Sequence, residues 1–450
     1  MGRGRISLIL EADGLIIEGN LKMSLRSWYA ARGLRFIFLR GTKLLTRYGM
    51  SPAIAIRRLN ECVDTLAGLG CAPTFPTPGN VVQRYPQFIR SLEERGVEIA
   101  VHSYEHVDLG ALPVPMAMQQ LERAIRTFEH FGIEARGFRC PYLGWSEELR
   151  DALPAGMFDY SSNEAICFEL DNQVAGGKSE FFEAVRRFYS GKLFSENVCL
   201  PSTRPNLIEI PVCVPDDLQL HDGMGLGPEG IDQEWGKILD QIYERGELFT
   251  LMFHPELSAF LGVPFKSLLR RASQFHLPVW VARLREVSDW WREKASFKIV
   301  ITPVTTGLRL NFTCTPRATI LVRGSDTIGS APIWDGDYHR LQSNVLEIST
   351  NPRPFVGIAA NAPERTVSFL RDQGYILDAS ETARSCGIFL DNDTLSKLTN
   401  EVELVNYIEI SPTPLVRFWR WPNGAKSALC ITGDLDALTL FDYASRIFIS

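Results

Sequence analysis

The sequence predicts an α/β protein built around a parallel sheet or barrel, followed by a small all-β module. Two patterns in its 450 residues lead to this fold class. Up to about residue 290, short apolar runs alternate with amphipathic helical segments, and the runs are short enough to be strands buried on both faces. From Phe297 to about Ile358 the pattern changes to period-two runs of Thr, Val, Ile and Arg. Such runs are typical of strands with one buried face.

The alternating region has apolar residues at helical spacing in its helices and short apolar runs in its strands. The predicted helices span residues 52–69, 85–95, 115–131 and 146–153. The predicted strands span residues 6–10, 72–76, 97–101, 135–138, 207–212 and 248–253. A turn is expected at Pro78-Gly79. In a βα barrel the chemistry lies at the carboxyl ends of the strands, so candidate site residues should directly follow them.

The rest of the chain has its own strands and helices. The β module contains predicted strands at residues 298–303 and 318–322, helices are expected at residues 363–373 and 400–408, and a last strand at residues 428–436 ends in acidic residues. The predicted segments are a basic aromatic helical segment (1–50), an α/β barrel (51–295), the small β module (296–360) and an α/β tail (361–450). The last strand of this tail is a candidate for completing the barrel.

Composition excludes some classes of function. The 47 basic and 53 acidic side chains give a net charge of −6, which offers no general attraction for nucleic acid. Nine cysteines lie scattered without a CxxC pair, which favours reduced thiols and a cytoplasmic protein. No run of about 18 apolar residues is present, so secretion and membrane spanning are disfavoured.

One segment has an unusual charge pattern. Between Gly19 and Asn60 there are nine basic residues and no acidic one, and aromatic residues such as Trp28 and Phe36 lie between them. One interpretation is a helical hairpin packed on the barrel with its arginines in water. The other is a peripheral face that contacts anionic lipid headgroups.

Two histidines follow a predicted strand. His102 and His106 are four residues apart, so a helical turn would place both imidazoles on one face, where a divalent metal can bind them. Paired histidines are also common as surface residues or as hydrogen-bonded core residues. The position at a strand end favours metal binding.

Two further strand ends carry candidate site residues. Arg139 can orient a carboxylate, and Pro141 restrains the backbone that presents Tyr142. His254 directly follows an apolar run and is a candidate general acid, although a structural histidine in the core would fit the same position.

Together these segments resemble the polysaccharide deacetylase superfamily, carbohydrate esterase family 4, over roughly residues 50 to 290. The matching motifs are H-[ST]-x-x-H at residues 102–106, R-x-P-[YF] at residues 139–142 and L-x-H at residues 252–254. Met252 replaces the usual leucine, a mild change at an apolar position. Residues 158–162 and Glu209-Ile210-Pro211 are also similar to family segments. The resemblance implies a distorted (β/α) barrel.

The family's first motif, T-F-D-D, is missing from the expected place. The amino-terminal candidate, residues 10–14, has Ala12 where the family has its base and Asp13 at the ligand position. A closer version lies near the other end, where the apolar run 428–431 is followed by Thr432 and by Asp434 and Asp436. One hypothesis is a circular permutation in which this strand enters the barrel. The alternative is that it opens a second deacetylase-like unit.

The resemblance also implies roles for the site residues. His102, His106 and Asp436 would hold a divalent metal, with zinc the expected ion, and Asp434 would act as the base. Arg139 would keep the base ionised, the backbone N–H of Tyr142 would stabilise the oxyanion, and His254 would protonate the leaving amine. Because Leu435 separates the two aspartates, their roles as base and ligand remain interchangeable at this stage.

The leading functional hypothesis is a metal-dependent hydrolase that removes an N-acetyl or N-formyl group from an amino sugar or polysaccharide. A second hypothesis is another amide hydrolase on the same fold, with or without a metal. A third is a carbohydrate-binding or scaffold protein without catalysis. Metal content and acetate release distinguish the first two, and the distance from Asp434 to the histidine pair bears on the third.

Overall fold

The computed structural model describes residues 7–11, 14–18, 49–170, 179–305, 307–324, 332–348 and 351–445. The basic aromatic segment therefore lies outside the described residues up to residue 48, as do Ala12 and Asp13. Strands β1 (Ser7–Glu11) and β2 (Gly14–Glu18) pair as an antiparallel hairpin. They form a sheet of their own, so the strand expected at residues 6–10 is present but is not part of the large sheet.

The largest sheet has twelve strands, and its pairings are parallel except that of β9 with β10. Its strands are β3 (Thr74–Thr77), β4 (Glu98–Val101), β5 (Gly137–Phe138), β6 (Tyr160–Ser161), β7 (Ala165–Cys167), β8 (Lys192–Leu193), β9 (Ser202–Thr203), β10 (Ile208–Glu209), β11 (Val212–Val214), β12 (Leu248–Phe253), β13 (Val279–Val281) and β24 (Ser427–Gly433). Every residue of β3, β4, β12 and β24 is buried, as expected for parallel strands covered on both faces.

This sheet curls until its two ends meet. Only residues 162–164 separate β6 from β7, and only residues 210–211 separate β10 from β11. In the order of strands, β6 and β10 lie at one end of the sheet and β7 and β11 at the other. The two ends are therefore consecutive stretches of the same chain. The predicted α/β class with a distorted, barrel-like parallel sheet is confirmed.

The last strand of the described chain lies in the middle of this sheet. Strand β24 pairs in parallel with β12, where Leu251 faces Ile431, and with β3, where Thr74 faces Thr432. Leu429 and Ile431 are fully buried in the barrel core. The last strand is therefore part of the barrel sheet, and it ends at Gly433, before the two aspartates.

Amphipathic helices surround the barrel. They are α1 (Pro52–Ala67), α2 (Gly79–Arg84), α3 (Pro86–Glu94), α4 (Val114–His130), α5 (Glu147–Ala152), α6 (Ser179–Phe188), α7 (Pro228–Arg245), α8 (Ser258–Gln274) and α9 (Leu284–Ala295). The turn expected at Pro78-Gly79 is instead the start of α2. A Cβ on Gly79 would lie 2.7 Å from Cδ2 of Tyr104, so glycine allows this helix to approach the segment after β4 closely.

Three smaller sheets follow the barrel. Their strands are β14 (Lys298–Val304), β15 (Gly307–Thr313), β16 (Ile320–Arg323), β17 (Ile333–Asp335), β18 (Tyr338–Arg340), β19 (Val345–Ile348), β20 (Arg353–Ile358), β21 (Leu377–Asp378), β22 (Cys386–Leu390) and β23 (Leu415–Phe418). The remaining helices are α10 (Glu364–Asp372), α11 (Asn392–Lys397), α12 (Glu401–Glu409) and α13 (Leu440–Ser445). The orders β14-β15-β19 and β17-β18-β16-β23 are antiparallel, and β21-β20-β22 is parallel. Because β23 joins β16 and β20 joins β21 and β22, the module and the tail are interlocked.

A tryptophan cluster joins these sheets to the barrel. The indole N–H of Trp290 on α9 donates to the backbone oxygen of Arg420 at 2.7 Å, and that of Trp421 donates to the backbone oxygen of Gly246 at 2.9 Å. Both tryptophans are fully buried. These contacts fix the segment that leads into β24, and therefore help to position the residues that follow this strand.

The cysteines behave as core side chains. All nine are free thiols, and eight are buried. Burial raises the pKa of the Cys62 thiol to about 12, which makes it an inert apolar group. Among the described residues, no helix combines the length and the apolar character needed to cross a lipid bilayer.

Candidate active site

The candidate site lies at the carboxyl edge of the barrel sheet. His102 directly follows β4, Arg139 follows β5, His254 follows β12 and Asp434 follows β24. In the sheet these strands have the order β12-β24-β3-β4-β5 and run in parallel, so their carboxyl ends meet at one edge. This edge is where barrel enzymes place their chemistry.

Two imidazoles and one carboxylate converge there. Nε2 of His106 lies 3.0 Å and Nε2 of His102 lies 3.4 Å from Oδ1 of Asp436. The three ligand atoms lie within 4.8 Å of one another. Both histidines are buried, and the Asp436 side chain is only 12% exposed. The structure thus brings together the three residues that the sequence predicted as metal ligands.

The surroundings of His102 fit metal binding. Its Nδ1 lies 2.8 Å from the backbone oxygen of Arg139. A carbonyl oxygen only accepts hydrogen bonds, so Nδ1 donates to it, and in the neutral imidazole the lone pair is then on Nε2, which faces Asp436. Metal-binding histidines are commonly held in this way. Two imidazole nitrogens and a carboxylate oxygen are also a donor set that zinc accepts.

Asp434 has different partners from Asp436. Its Oδ1 accepts a hydrogen bond from Nη1 of Arg139 at 2.7 Å, inside the protein. Arg139 also donates to the hydroxyl groups of Thr432 and Ser162, at 2.9 and 3.0 Å, so its guanidinium has little freedom to move. The other oxygen of Asp434 lies 4.0 Å from Nε2 of His102. This carboxylate is therefore ion-paired and next to the histidine pair.

The turn after Arg139 has an unusual backbone. Tyr142 and Leu143 have φ angles of 58° and 52°, in the left-handed region that residues other than glycine rarely adopt. Tyr142 is 42% exposed, and its ring meets the His106 ring edge-on, with 4.9 Å between the ring centroids. Such backbone conformations persist only where the surroundings hold them, and they often occur at functional sites.

His254 forms a pair with a carboxylate. Its Nδ1 lies 2.8 Å from Oδ1 of Asp217, and its backbone N–H donates to Oδ2 of the same residue at 2.9 Å. Burial alone would lower the pKa of His254, but the charge of Asp217, together with that of Asp216, raises this pKa well above its ordinary value. Burial raises the pKa of Asp216 to about 7. The protonated form of His254 is therefore favoured.

The sequence analysis did not predict Asp216 and Asp217. A signal was present, because the two acidic residues come two and three positions after the buried strand β11, at the carboxyl edge where site residues are expected. Of the predicted site residues, His102, His106, Arg139, Asp434 and Asp436 form one network of direct contacts. Tyr142 contacts His106, and His254 pairs with Asp217.

A curled parallel sheet with histidines and aspartates gathered at its carboxyl edge is the arrangement of a barrel-type enzyme domain. Residues 57–157 match the family model described as Polysaccharide deacetylase. This match confirms the resemblance that the motifs indicate, and a domain of this type implies a hydrolase that acts on carbon–nitrogen bonds. No curated protein matches the chain.

Several solved structures are similar to part of the chain. A Mycobacterium smegmatis protein assigned to the polysaccharide deacetylases is 21% identical, with a TM-score of 0.40, and the match covers 54% of this chain and 79% of that one. PuuE allantoinase is 16% identical, with a TM-score of 0.40 and coverage of 64% and 82%. The peptidoglycan deacetylase PdaC from Bacillus subtilis is 19% identical, with a TM-score of 0.24 and coverage of 50% and 90%. The likeness is distant, so the family assignment rests on the sequence match.

Proposed function

We propose that this chain is a metal-dependent hydrolase that removes an N-acetyl or N-formyl group from an amino sugar or polysaccharide. One observation carries the proposal. The ion-paired carboxylate of Asp434 lies 4.0 Å from a histidine whose Nε2 converges with His106 on Asp436. A base and a metal-binding set within contact distance of each other are what hydrolysis of an amide by activated water requires.

His102, His106 and Asp436 are the residues that we propose to hold the metal, and zinc is the proposed ion. When bound, such an ion supplies Lewis-acid chemistry, because it polarises the acetyl carbonyl and makes a nearby water molecule more acidic. The carbonyl oxygen of Arg139 keeps His102 in the tautomer that this role needs.

Asp434 would take the proton from the attacking water molecule. Its ion pair with Arg139 keeps the carboxylate ionised and fixes its orientation. Since Thr432 and Ser162 hold the guanidinium in turn, the base would need little reorganisation when the water reacts. Asp436 faces the two imidazoles, with its Oδ1 3.4 Å from Nε2 of His102 and 3.0 Å from Nε2 of His106, which supports its role as ligand.

The bond cleavage would be completed by two other groups. The backbone N–H of Tyr142 would donate to the oxyanion that forms when water adds to the acetyl carbon. His254, protonated through its pairing with Asp217, would give a proton to the nitrogen as the carbon–nitrogen bond breaks. The products would be acetate and a free amino sugar.

Acetate release tests this proposal. The purified full chain with added zinc should release acetate from an N-acetylated chitin oligosaccharide, and the Asp434→Asn variant should release almost none. Acetate release that is unaffected by removing all metal would favour the other amide hydrolases. A protein that binds the oligosaccharide but releases no acetate would favour the non-catalytic alternative.

A cytoplasmic location and a peripheral contact with anionic membrane remain proposals. The basic aromatic segment suggests the membrane contact, and its sequence up to residue 48 lies outside the described residues. Sedimentation of the protein with anionic vesicles, weakening as salt is added, would support the contact. Equal sedimentation with neutral and anionic vesicles would count against it.

A further inference from the structure

A buried glutamate, Glu209, binds the short segment between strands β6 and β7. Between β6 and β7 the backbone N–H groups of Asn163 and Glu164 both donate to Oε1 of Glu209, at 2.7 and 2.8 Å. The hydroxyl of Ser161 donates to the other oxygen of Glu209. Glu209 is 1% exposed, and burial, followed by the charge of Glu164, raises its pKa to about 7. A carboxyl group is costly to bury without hydrogen bonds, and these three donors satisfy it. Glu209 in return holds the backbone of Asn163 and Glu164 in place.

The side chain of Asn163 connects this anchored segment to the turn that follows Arg139. Its Oδ1 accepts a hydrogen bond from the backbone N–H of Cys140 at 2.6 Å. Asn163 is 2% exposed and Cys140 is completely buried. The turn that begins at Cys140 is closed by the N–H of Leu143, which donates to the Cys140 carbonyl at 3.0 Å. Both backbone polar groups of Cys140 are therefore used to hold this turn.

The turn needs such support because Tyr142 and Leu143 have positive φ angles. This region of backbone conformation is unfavourable for residues other than glycine, so the surroundings must impose it. Without the acceptor from Asn163, the Cys140 amide would be buried and unpaired, and the turn could relax toward an ordinary backbone.

We propose that Glu209 and Asn163 are positioning residues for the deacetylation site. Glu209 fixes the backbone of Asn163, and the side chain of Asn163 fixes the turn from Cys140 to Leu143. The conformation of this turn then sets the direction in which the backbone N–H of Tyr142 points. We call this chain of hydrogen bonds, from Glu209 through Asn163 to the turn, the relay. The existence of the relay is independent of the proposed function, whereas its effect on catalysis rests on that function.

Four variants separate this role from a general effect on folding. Asn163→Ala removes the acceptor for the Cys140 amide. Glu209→Ala removes the carboxyl group that holds the backbone of Asn163. Asn163→Asp keeps the acceptor, and in the described chain Nδ2 of Asn163 has no hydrogen-bond partner that this change would remove. Glu98→Ala is the matched control.

Glu98 is a suitable control because it is an equally buried carboxylate at the opposite end of the barrel. It is 3% exposed, is the first residue of β4, and accepts hydrogen bonds from Thr74, Tyr160 and the backbone N–H of Arg285, at 2.8, 2.7 and 3.0 Å. Its loss should lower the unfolding temperature without changing the turn.

Hydrogen exchange of the full chain tests the relay without reference to catalysis. Amides in the peptide that spans residues 139–146 should exchange at least about tenfold faster in Asn163→Ala and Glu209→Ala, because local opening becomes easier. Exchange in Asn163→Asp and in Glu98→Ala should match the unaltered protein. Unchanged exchange in the two relay variants would overturn the inference.

Kinetics test the catalytic consequence. In Asn163→Ala and Glu209→Ala, kcat should fall about tenfold to a hundredfold while KM and zinc content stay unchanged, since the displaced donor acts mainly in the transition state. Asn163→Asp should recover most of kcat. Equally low kcat in Asn163→Asp and Asn163→Ala would overturn the role of the acceptor. If the unaltered chain releases no acetate, the proposed function fails, and hydrogen exchange still decides whether the relay exists.

Discussion

At the scale of single residues, one leucine separates two aspartates with different surroundings. Asp434 is bound to Arg139, whereas Asp436 faces His102 and His106. Leu435 between them is buried in the barrel core, and its backbone N–H donates to Pro76 at 2.8 Å. The extra residue therefore points inward, which allows both carboxylates to reach the same site. This arrangement supports Asp434 as the base and Asp436 as the ligand.

Removing the base should separate catalysis from metal binding. In Asp434→Asn, kcat should fall about a hundredfold to ten-thousandfold because the proton acceptor is lost. Zinc content, measured by atomic emission on the purified protein, should stay near that of the unaltered chain. A variant with normal kcat would contradict the assignment of Asp434 as base.

Removing the two imidazoles should instead abolish metal binding. A His102→Ala, His106→Ala double variant should lose about one zinc ion per chain, because the affinity of a metal site depends on each ligand. The control is His276→Ala, which changes an exposed histidine. Equal zinc content in the double variant and the control would show that the metal lies elsewhere.

The pairing of His254 with Asp217 should control the alkaline limit of activity. A general acid must be protonated, so the rate should fall as the pH rises through the pKa of His254. The charge of Asp217 raises this pKa. Asp217→Asn should therefore move the alkaline limb of the kcat/KM profile to lower pH. If the limb does not move, Asp217 does not tune a catalytic histidine.

The residues found from sequence were those with a local signature. His102 and His106 could be identified from their spacing, and Arg139 and Tyr142 from a four-residue motif. Asp217 and Glu209 act through contacts with His254 and Asn163, 37 and 46 positions away in the sequence. The segment of Glu209 was recognised as similar to the family, but without knowing which strands are neighbours the sequence could not pair Glu209 with Asn163 or Asp217 with His254.

At the scale of elements, the last strand is the most informative. β24 lies between β12 and β3, and its apolar side chains are shared between two core clusters, with Leu429 and Ile431 in one and Ala428 and Cys430 in the other. Its hydrophobic run was sufficient to predict a buried strand. The strands with which it pairs depend on tertiary structure and could not be predicted from this run. The same holds for β20 and β23, whose sequences do not indicate which sheets they enter.

Substitutions in and outside this strand should differ strongly in their effect on stability. Ile431→Ala should lower the free energy of unfolding by about 2–5 kcal/mol, because it removes buried methyl groups and leaves a cavity. Ile410→Ala is a matched control, since Ile410 is 79% exposed. Urea denaturation measures both. Similar midpoints for the two variants would mean that β24 contributes little to the core.

At the scale of the whole molecule, the order of elements in space differs from their order in the chain. After β24 the chain continues to α13, where the backbone N–H of Leu440 donates to the carbonyl of Gly49 at 2.8 Å. Asp442 on α13 also binds Arg84 and Tyr85, at the end of α2 and just before α3. In space, the segment after the last barrel strand thus lies beside the start of the first barrel helix, and whether the order of elements is permuted can be tested directly.

A permuted variant tests this arrangement. The variant begins at Pro412, runs through β23 and β24 to Ser445, and continues through a linker into Gly49 and onward to Ser411. Six glycine and serine residues should suffice, because such a linker spans about 13 Å and helix α13 extends only about 8 Å beyond Leu440. The new ends fall in the loop between α12 and β23, next to the exposed Ile410.

This permuted variant should fold, bind zinc and keep kcat within a few fold of an unpermuted chain of residues 49–445, which is the matched control. The reason is that the permutation breaks no pairing of the barrel sheet and interrupts the chain only at a surface loop. Circular dichroism, zinc content and acetate release compare the two proteins. A permuted variant that is unfolded, beside a folded and active control, would mean that the link between α12 and β23 is required for the last strand to enter the barrel.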